Sequence, residues 1–185
     1  MRAVLASGNA HKLAELRRAL PSWELRTPDT GAAAAPEETG TTFGENARLK
    51  AVWGRRLAGA DEWALGEDSG IEVDALGGRP GIESARWAED GVARLLMELD
   101  GVADRRARYV CALVALAPDG RELAVEGTLE GQIALAPRGD EGFGYDPIFV
   151  PDGKTSTVAE LGDAWKARHS HRAQAAAALG QALTA

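Results

Sequence analysis

The sequence predicts an α/β fold built on a mixed β-sheet, and two parts of the chain carry that prediction. The short apolar segment Arg2–Ala6 is typical of a strand, and a loop of small residues leads from it into a helical segment, Ala10–Leu20. Further along, Arg105–Ala117 and Arg121–Ile133 flank Pro118-Asp119-Gly120, which predicts an antiparallel hairpin. A strand that enters a helix, together with a hairpin, indicates helices beside a sheet of mixed direction.

Composition limits the class of protein. A chain of 185 residues is long enough for one domain, or two closely packed lobes, with a substantial core. Hydrophobic residues make up 45% and charged residues 26%, which is ordinary for a globular protein. The net charge of −7 argues against a general nucleic-acid or membrane surface, since such a surface needs an excess of basic residues. The negative net charge does not exclude a small anionic ligand, because basic residues can be concentrated locally.

The single cysteine and the apolar runs bear on the compartment. Cys111 cannot form an internal disulfide and lies within the apolar run Tyr109–Ala117, so we expect a small core residue; a catalytic thiol is the alternative. No apolar run approaches the roughly 18 residues of a membrane span. The N-terminus lacks the apolar segment of a signal peptide, so the cytoplasm is the default expectation.

The first predicted helix has an unfavourable charge at its start. Its leucines recur on one face, Pro21 ends it, and His11 and Lys12 stand in its first turn. A cation there opposes the helix dipole, and a bound anion held by Lys12 and the free backbone N–H groups would explain it. The phosphate-loop pattern GxxxxGK[ST] is absent, and a solvated lysine is the alternative reading.

A second helix is predicted to start near Phe43. Thr42 and Glu45 have the spacing of a capping box. Asn46 and Lys50 lie one turn apart on a face that differs from the apolar one, where ordinary surface residues are the simplest interpretation. The loop before this helix contains Glu37 and Glu38, which are free to reach a metal ion or to remain solvated.

The segment Leu65–Arg86 contains the strongest chemical signal. A buried strand is predicted to end at the adjacent acids Glu67 and Asp68, and Ser69-Gly70 is predicted to form a turn before a second strand, Ile71–Asp74. Two carboxylates at a strand end can hold Mg²⁺ or act as a general base. A solvated acidic turn is the alternative.

Two later segments add an aromatic and a basic group. In Glu141–Phe149, Phe143 is flanked by glycines, so it can stack on a base while Asp146 accepts from a base N–H; an aromatic in a core turn is the alternative. The run Asp163–Arg172 concentrates basic residues in an acidic protein. We place this run at the start of the last helix, where an anionic partner explains it better than a solvated face.

Taken together, these segments closely resemble the inosine triphosphate pyrophosphatase family. The motifs are SGNAHK at Ser7–Lys12, ETGTTFGENARLKA at Glu38–Ala51, EDSGIEVDALGGRPGIESAR at Glu67–Arg86, and GFGYDPIF at Gly142–Phe149 with SHR at Ser170–Arg172. They occur in the family's order and the resemblance covers nearly the whole chain. Any one of these motifs would be a weak signal, but several long ones in sequence are specific.

The resemblance implies a fold, a reaction and partners. It implies a single nucleoside-triphosphate pyrophosphatase domain over residues 1–185, with a long mixed central sheet, flanking helices, and two lobes with the active-site cleft between them. It implies Mg²⁺-dependent hydrolysis of dITP, ITP and XTP to the monophosphate and pyrophosphate, which cleanses the nucleotide pool, and a cytoplasmic homodimer.

The resemblance also implies roles for individual residues. Asp68 matches the general base. The acids that match metal ligands are Glu37, Glu38, Glu67 and Asp68. Residues that match or would contact substrate are Ser7, Gly8, Asn9, Ala10, His11, Lys12, Lys50, Ser69, Phe143, Gly144, Tyr145, Asp146, Lys166, His171 and Arg172. Two departures are visible: Ser7 replaces the usual threonine and keeps its hydroxyl, and Glu141 replaces a common glycine before the GFGYDP motif.

The mechanism implied by the resemblance uses these groups in turn. Asp68 activates water for attack on the α-phosphorus, and Lys12 and Lys50 hold the leaving pyrophosphate. Phe143 stacks on the purine, and Asp146, His171 and Arg172 surround its edge and select a 6-keto group. The alternatives are a pyrophosphatase for other modified or pyrimidine nucleotides, and a non-catalytic nucleotide-binding module.

Overall fold

The computed structural model describes residues 1–29 and 35–184, and within these ranges the chain forms a mixed α/β fold. The strands are β1 (Arg2–Leu5), β2 (Glu24–Arg26), β3 (Trp63–Val73), β4 (Arg106–Leu116), β5 (Glu122–Ile133) and β6 (Phe149–Pro151). The helices are α1 (Ala10–Ala19), α2 (Phe43–Arg55), α3 (Gly91–Glu98), α4 (Val158–His169) and α5 (His171–Ala182).

The six strands form one sheet in the order β2-β1-β3-β4-β5-β6. β1 pairs in parallel with β2 and β3, and β5 pairs antiparallel with β6, so the sheet is mixed as predicted. The predicted hairpin is confirmed: Ala117 donates its N–H to the Arg121 carbonyl across the turn between β4 and β5. Helices flank this sheet, and none in the described part of the chain is both long and apolar enough to cross a membrane.

The chain divides into two compact units that are interleaved in sequence. The first unit comprises Met1–Asp68, Cys111–Gly127 and Arg172–Ala185. Its core is formed by aliphatic side chains of β1, α1, β3, β4 and α5 and by Trp23 and Trp63, whose rings meet edge to face at 5.6 Å. Cys111 is fully buried in this core, as predicted, and burial raises the pKa of its thiol well above the usual value. A buried neutral thiol does not fit a catalytic nucleophile.

The second unit comprises Ser69–Val110 and Thr128–His171. Its core contains Ile71, Leu95, Ile148 and Phe149, all fully buried, together with the ring of Tyr109. Helix α3 begins at Gly91, and its N-cap Asp90 accepts from the Ala93 N–H. Each unit therefore buries an apolar cluster of its own.

One predicted turn is wrong. Ser69-Gly70 was expected to separate two strands, but β3 runs without interruption through both residues. Glycine permits a turn without imposing one, and here the backbone stays extended in a strand that lies between β1 and β4 in the sheet. Glu67 and Asp68 therefore stand in the middle of a strand rather than at its end.

The predicted position of the basic run is also wrong. Lys166 and His169 belong to the last turn of α4, where cations interact favourably with the helix dipole, and only His171 and Arg172 begin α5. The start of α4 is marked by a capping box between Thr157 and Glu160. Gly162, at φ 78°, interrupts the helical backbone, so α4 does not follow one continuous helical periodicity.

Candidate active site

Glu67 and Asp68 occupy adjacent positions of β3, so their side chains leave opposite faces of the sheet. Asp68 shares its face with Gly66 and contacts α2. Glu67 shares its face with Leu65 and contacts α1 and α5 residues. The two acids therefore lie in different surroundings.

Asp68 lies in a group that we call the Asp68 cluster, formed with Glu38, Asn46 and Lys50. Lys50 Nζ is 2.8 Å from Asp68 Oδ1 and 2.6 Å from Glu38 Oε1. Asn46 Nδ2 donates to Asp68 Oδ2 at 3.3 Å. Asn46 is fully buried, so the interpretation of Asn46 and Lys50 as ordinary surface residues is wrong. Their spacing of one helical turn points both side chains of α2 at the same carboxylate.

The pKa values in the Asp68 cluster reflect burial and charge together. Burial raises the pKa of Asp68 above its usual value of 3.8, and the positive charge of Lys50 opposes this without cancelling it. For Lys50, burial lowers the pKa, but the negative charges of Asp68 and Glu38 outweigh burial and the net pKa is raised. Lys50 therefore remains a cation beside a carboxylate whose proton affinity is higher than usual.

Gly66 allows α2 to approach the strand that carries Asp68. A Cβ atom at Gly66 would lie 1.9 Å from the Ala47 carbonyl oxygen and 2.4 Å from the Ala51 nitrogen. Both distances are far below any van der Waals contact, so residue 66 must lack a side chain. The start of α2 is capped by Thr42, which accepts from the Glu45 N–H, whereas the Glu45 carboxylate binds Thr41 rather than completing the predicted capping box.

Glu67 lies in a second group, the Glu67 cluster, which also contains Lys12, Glu15, Cys111 and Arg172. Lys12 Nζ is 2.8 Å from Glu67 Oε2, and the Arg172 guanidinium donates to Oε1 at 3.0 and 3.1 Å. Arg172 also donates to Glu15, and the Cys111 thiol lies 3.5 Å from Glu67 Oε1. Glu67 is 0% and Arg172 2% exposed. Burial lowers the pKa of Arg172, but Glu67, Glu15 and the other anionic contributions together outweigh burial, and the net pKa is raised.

Lys12, in the first turn of α1, is thus paired with an anionic side chain of the protein, Glu67. The Asn9 side chain caps α1 and accepts from the N–H groups of His11 and Lys12, and Ser7 Oγ accepts from the Asn9 N–H. The helix start is therefore organised by Asn9, and the Lys12 ammonium is directed at Glu67.

In the second unit, Asp146 is the centre of a third group, the Asp146 cluster, with Tyr109, Phe143, Lys166 and His171. Asp146 Oδ2 accepts from Lys166 Nζ at 2.6 Å and from the Phe143 N–H at 2.8 Å, and Oδ1 accepts from the Tyr109 hydroxyl at 3.1 Å. Lys166 Nζ also lies 4.6 Å from the centre of the Phe143 ring, which is a cation–π contact. The His171 imidazole stacks on the Tyr109 ring.

The loop that carries Phe143 is shaped by its neighbours. Gly142 and Gly144 have φ values of 80° and 63°, which favour glycine. Tyr145 donates its hydroxyl to the Ser84 carbonyl at 2.9 Å, and burial raises the pKa of this tyrosine. Glu141 accepts the Asp163 N–H at 2.9 Å and so caps the part of α4 that follows its break.

The three clusters contain most of the charged candidates from the sequence. In the first unit, the Asp68 cluster contains Glu38, Lys50 and Asp68, and the Glu67 cluster contains Lys12, Glu67 and Arg172. In the second unit, the Asp146 cluster contains Phe143, Asp146, Lys166 and His171. Sequence reasoning missed Glu15 and Tyr109. The sequence around Tyr109 indicated only a strand, and Glu15 was distinguished only by lying one helical turn after His11. Neither local pattern therefore indicated a functional role.

The donor set of the Asp68 cluster fits a hard divalent cation. Glu38 and Asp68 already place two carboxylates around one positive group, the Lys50 ammonium. Mg²⁺ is commonly held by one or two carboxylates together with water and substrate phosphates. Among residues 1–29 and 35–184, no three His, Cys, Asp or Glu side chains gather into a site that would hold a metal by protein ligands alone.

Comparisons with known proteins give a consistent result. Residues 3–182 match the sequence profile of the Ham1 family. The chain is 52% identical over 180 residues to a dITP/XTP pyrophosphatase of Gloeobacter violaceus, covering 93% of this chain and 89% of that protein. It is 44% identical over 183 residues to a dITP/XTP pyrophosphatase of Deinococcus radiodurans, covering 96% and 90%.

Solved structures agree with these sequence relatives. The Ham1 protein of Staphylococcus aureus has a TM-score of 0.86 at 35% identity, over 100% of this chain and 98% of that one. A nucleoside-triphosphatase, described as a dITP/XTP pyrophosphatase, of Mycobacterium abscessus has a TM-score of 0.76 at 41% identity, over 97% of each chain.

Proposed function

The chain belongs to the Ham1 family, and from this membership we propose that it hydrolyses non-canonical purine nucleoside triphosphates, namely dITP, ITP and XTP. The products are the nucleoside monophosphate and pyrophosphate. The observation that carries this proposal is 52% identity, over nearly the whole chain, with a dITP/XTP pyrophosphatase. The enzyme is accordingly a hydrolase of the α–β phosphoanhydride bond.

The Asp68 cluster supports a role in the hydrolytic step. Asp68 carries a raised pKa because of burial, and a carboxylate with higher proton affinity is a better acceptor for a proton from attacking water. Lys50 stays protonated beside it and can bind phosphate oxygens. Glu38 and Asp68 would hold Mg²⁺, which when bound supplies positive charge for the triphosphate. Glu37 and Glu67 complete the set of acids that the resemblance assigns to metal.

The first helical turn supports binding of the phosphates. We assign Lys12 and the Ser7–Asn9 loop to the triphosphate, with Ser69 as a further contact next to the general base. Lys12 is 14% exposed at its side chain while it pairs with Glu67, so it is held in place before substrate arrives. A positioned cation stabilises a polyanion without the cost of ordering a flexible side chain.

The Asp146 cluster supports recognition of the base. Phe143 offers a ring on a loop whose backbone N–H is fixed by Asp146, and Lys166 lies over that ring. Stacking alone is tolerant of base identity. Selection of a 6-keto purine therefore depends on hydrogen-bond donors at the edge of the base. In the Asp146 cluster the candidate donors are His171 and Lys166. A buried donor facing the 6-amino group of adenine would be left unpaired, which disfavours that base.

Pyrophosphate release from dITP, ITP, XTP, dATP and dTTP, with and without Mg²⁺, tests this function. We expect the three non-canonical purines to be hydrolysed far faster than the others, and only with the metal. The Asp68→Asn protein is the matched control for contaminating activity. Preferential hydrolysis of a pyrimidine nucleotide, or nucleotide binding without hydrolysis, would contradict the proposal.

We further propose a cytoplasmic homodimer. Light scattering coupled to gel filtration should give twice the mass of the 185-residue chain. A mass equal to one chain at the concentrations used for the activity assay would contradict the dimer and leave the proposed reaction unaffected.

A further inference from the structure

Tyr109 connects two candidate base-binding residues that are far apart in sequence. This tyrosine lies on β4, is 7% exposed, and belongs to the core of the second unit. Its hydroxyl donates to Asp146 Oδ1 at 3.1 Å. Its ring stacks on the His171 imidazole, with centroids 4.7 Å apart and planes 12° from parallel.

The position of the Tyr109 ring is itself fixed. The Phe149 ring packs against it with centroids 4.5 Å apart and an interplanar angle of 42°. Phe149 is fully buried, so this contact belongs to the rigid part of the unit. A tyrosine held in this way presents both a flat surface and a hydrogen-bond donor in defined positions.

The hydroxyl contact determines how the Asp146 carboxylate is used. Oδ2 accepts from the Phe143 N–H and from Lys166, whereas Oδ1 accepts from Tyr109. Because the two oxygens bind different partners, the Tyr109 hydroxyl favours one orientation of the carboxylate plane about the Cβ–Cγ bond of Asp146. That orientation in turn orients the Phe143 loop and the Lys166 ammonium.

We infer that Tyr109 is a positioning residue for base recognition: its ring orients His171 and its hydroxyl orients Asp146. The inference rests on the proposed function in that the ligand is a purine. Tyr109 need not touch the substrate itself, because it acts through the two side chains that it holds. A tyrosine that merely filled the core would affect stability and not the choice of base.

Two variants separate the contributions of the ring and the hydroxyl. Tyr109→Phe keeps the stack on His171 and removes the donor to Asp146. Tyr109→Met keeps much of the apolar volume and removes both. For kcat/KM with dITP we expect a fall of about threefold in the first variant and about tenfold in the second, in line with the strength of one hydrogen bond and one aromatic pair. With dATP we expect much smaller changes in kcat/KM. The ratio of kcat/KM for dITP to kcat/KM for dATP should therefore fall.

Ser84→Ala is the matched control. The Ser84 hydroxyl makes hydrogen bonds within the same unit, to the Ile71 N–H and the Gly81 carbonyl, and none of these partners is a candidate base ligand. Its loss should leave the ratio unchanged. In an Asp146→Ala background, Tyr109→Phe should cause no further loss, because the carboxylate that the hydroxyl orients is absent.

The outcomes are distinguishable. If wild-type protein hydrolyses dITP but both folded Tyr109 variants keep the wild-type ratio, or lose both substrates by equal factors, Tyr109 does not position the base ligands. If Tyr109→Met does not fold, the ratio in Tyr109→Phe decides alone. If the wild-type protein hydrolyses no purine triphosphate, the proposed function fails, and this inference fails with it.

Discussion

Asp68 and Glu67 show how neighbouring residues of one type acquire different chemistry. Asp68 is bound by one ammonium and one amide, and burial raises its pKa. Glu67 is fully buried and receives two cationic side chains, Lys12 and Arg172. Glu67 therefore joins cationic side chains of α1 and α5, whereas burial raises the pKa of Asp68.

Replacing Asp68 by asparagine should abolish most activity and preserve the fold. Lys50 keeps its ion pair with Glu38 at 2.6 Å when Asp68 is replaced, so a neutral amide of the same shape should leave the fold intact. We expect kcat for dITP to fall by a factor on the order of 10² or more, since the general base and a metal-binding charge are lost together. Steady-state kinetics and a melting curve on the same preparation measure both effects, and near-normal turnover would remove Asp68 from the mechanism.

Asp68 should also set the acidic limb of the pH–rate profile. The base must be deprotonated, and burial raises its pKa above 3.8. We therefore expect kcat/KM to decline as the pH falls through a value higher than 3.8. Measurements over a range of Mg²⁺ concentrations should show this limb at the lowest concentration that sustains activity, because bound Mg²⁺ itself lowers the pKa of a carboxylate. A limb below 3.8 at that concentration would mean that another group controls it.

At the scale of elements, the approach of α2 to β3 depends on one glycine. Gly66→Ala would place a Cβ atom against the α2 backbone at Ala47 and Ala51, which cannot move independently of the helix. We expect a loss of about 3 kcal/mol or more in the free energy of unfolding. The displaced helix carries Asn46 and Lys50, so activity should fall even where the protein remains folded.

Gly180→Ala is the control for this substitution. Gly180 lies in α5, and nothing stands within 4 Å of the added Cβ. An alanine there should stabilise the helix by about 0.5–1 kcal/mol. Urea unfolding of both variants provides the comparison, and similar stabilities for the two would contradict the close approach at Gly66.

A second link between elements should make stability depend on pH. Arg26 of β2 makes two hydrogen bonds with Glu62, the residue before β3. These bonds, with a further one from the Gly59 N–H, lower the pKa of Glu62 to about 2 from 4.5. Because the pKa is lower in the folded protein, this stabilisation is complete above pH 4.5 and is lost as the pH falls from there towards 2.

Glu62→Gln should therefore lower the free energy of unfolding at neutral pH and have little effect near pH 2. We expect a loss of about 1–2 kcal/mol at pH 7, since Arg26 is partly exposed and solvent weakens the pair. The difference from wild type should shrink towards zero near pH 2. Denaturant unfolding at several pH values measures it, and a difference that is independent of pH would show that the charge of Glu62 is not involved.

At the scale of the whole molecule, substrate binding should stabilise the folded chain selectively. A non-hydrolysable dITP analogue at 100 times its Kd with Mg²⁺ adds about 2.7 kcal/mol by mass action. For a chain of this length that corresponds to a rise in Tm of about 5–10 °C. The matching dATP analogue at the same concentration should raise Tm much less, and equal shifts would contradict selection by the base.

The order of the elements and the identity of the family could be predicted from local patterns. The hairpin between β4 and β5, the leucine face of α1, the start of α2 at Phe43 and the long motifs all depend on residues close together in the chain, where turn chemistry and helical periodicity act. The candidate residues themselves could also be predicted, because the long motifs place them in the order that the family has, although each motif alone had a structural alternative.

The partners of those residues depended on contacts between distant parts of the chain. Arg172 meets Glu67 across 105 positions and Tyr109 meets Asp146 across 37, so no local pattern reports either pair. The continuity of β3 through Ser69-Gly70 was decided in the same way, since neighbouring strands in the sheet outweigh the tendency of glycine to turn. Local preferences amount to about 1 kcal/mol per residue, and burial and pairing in the folded chain exceed them.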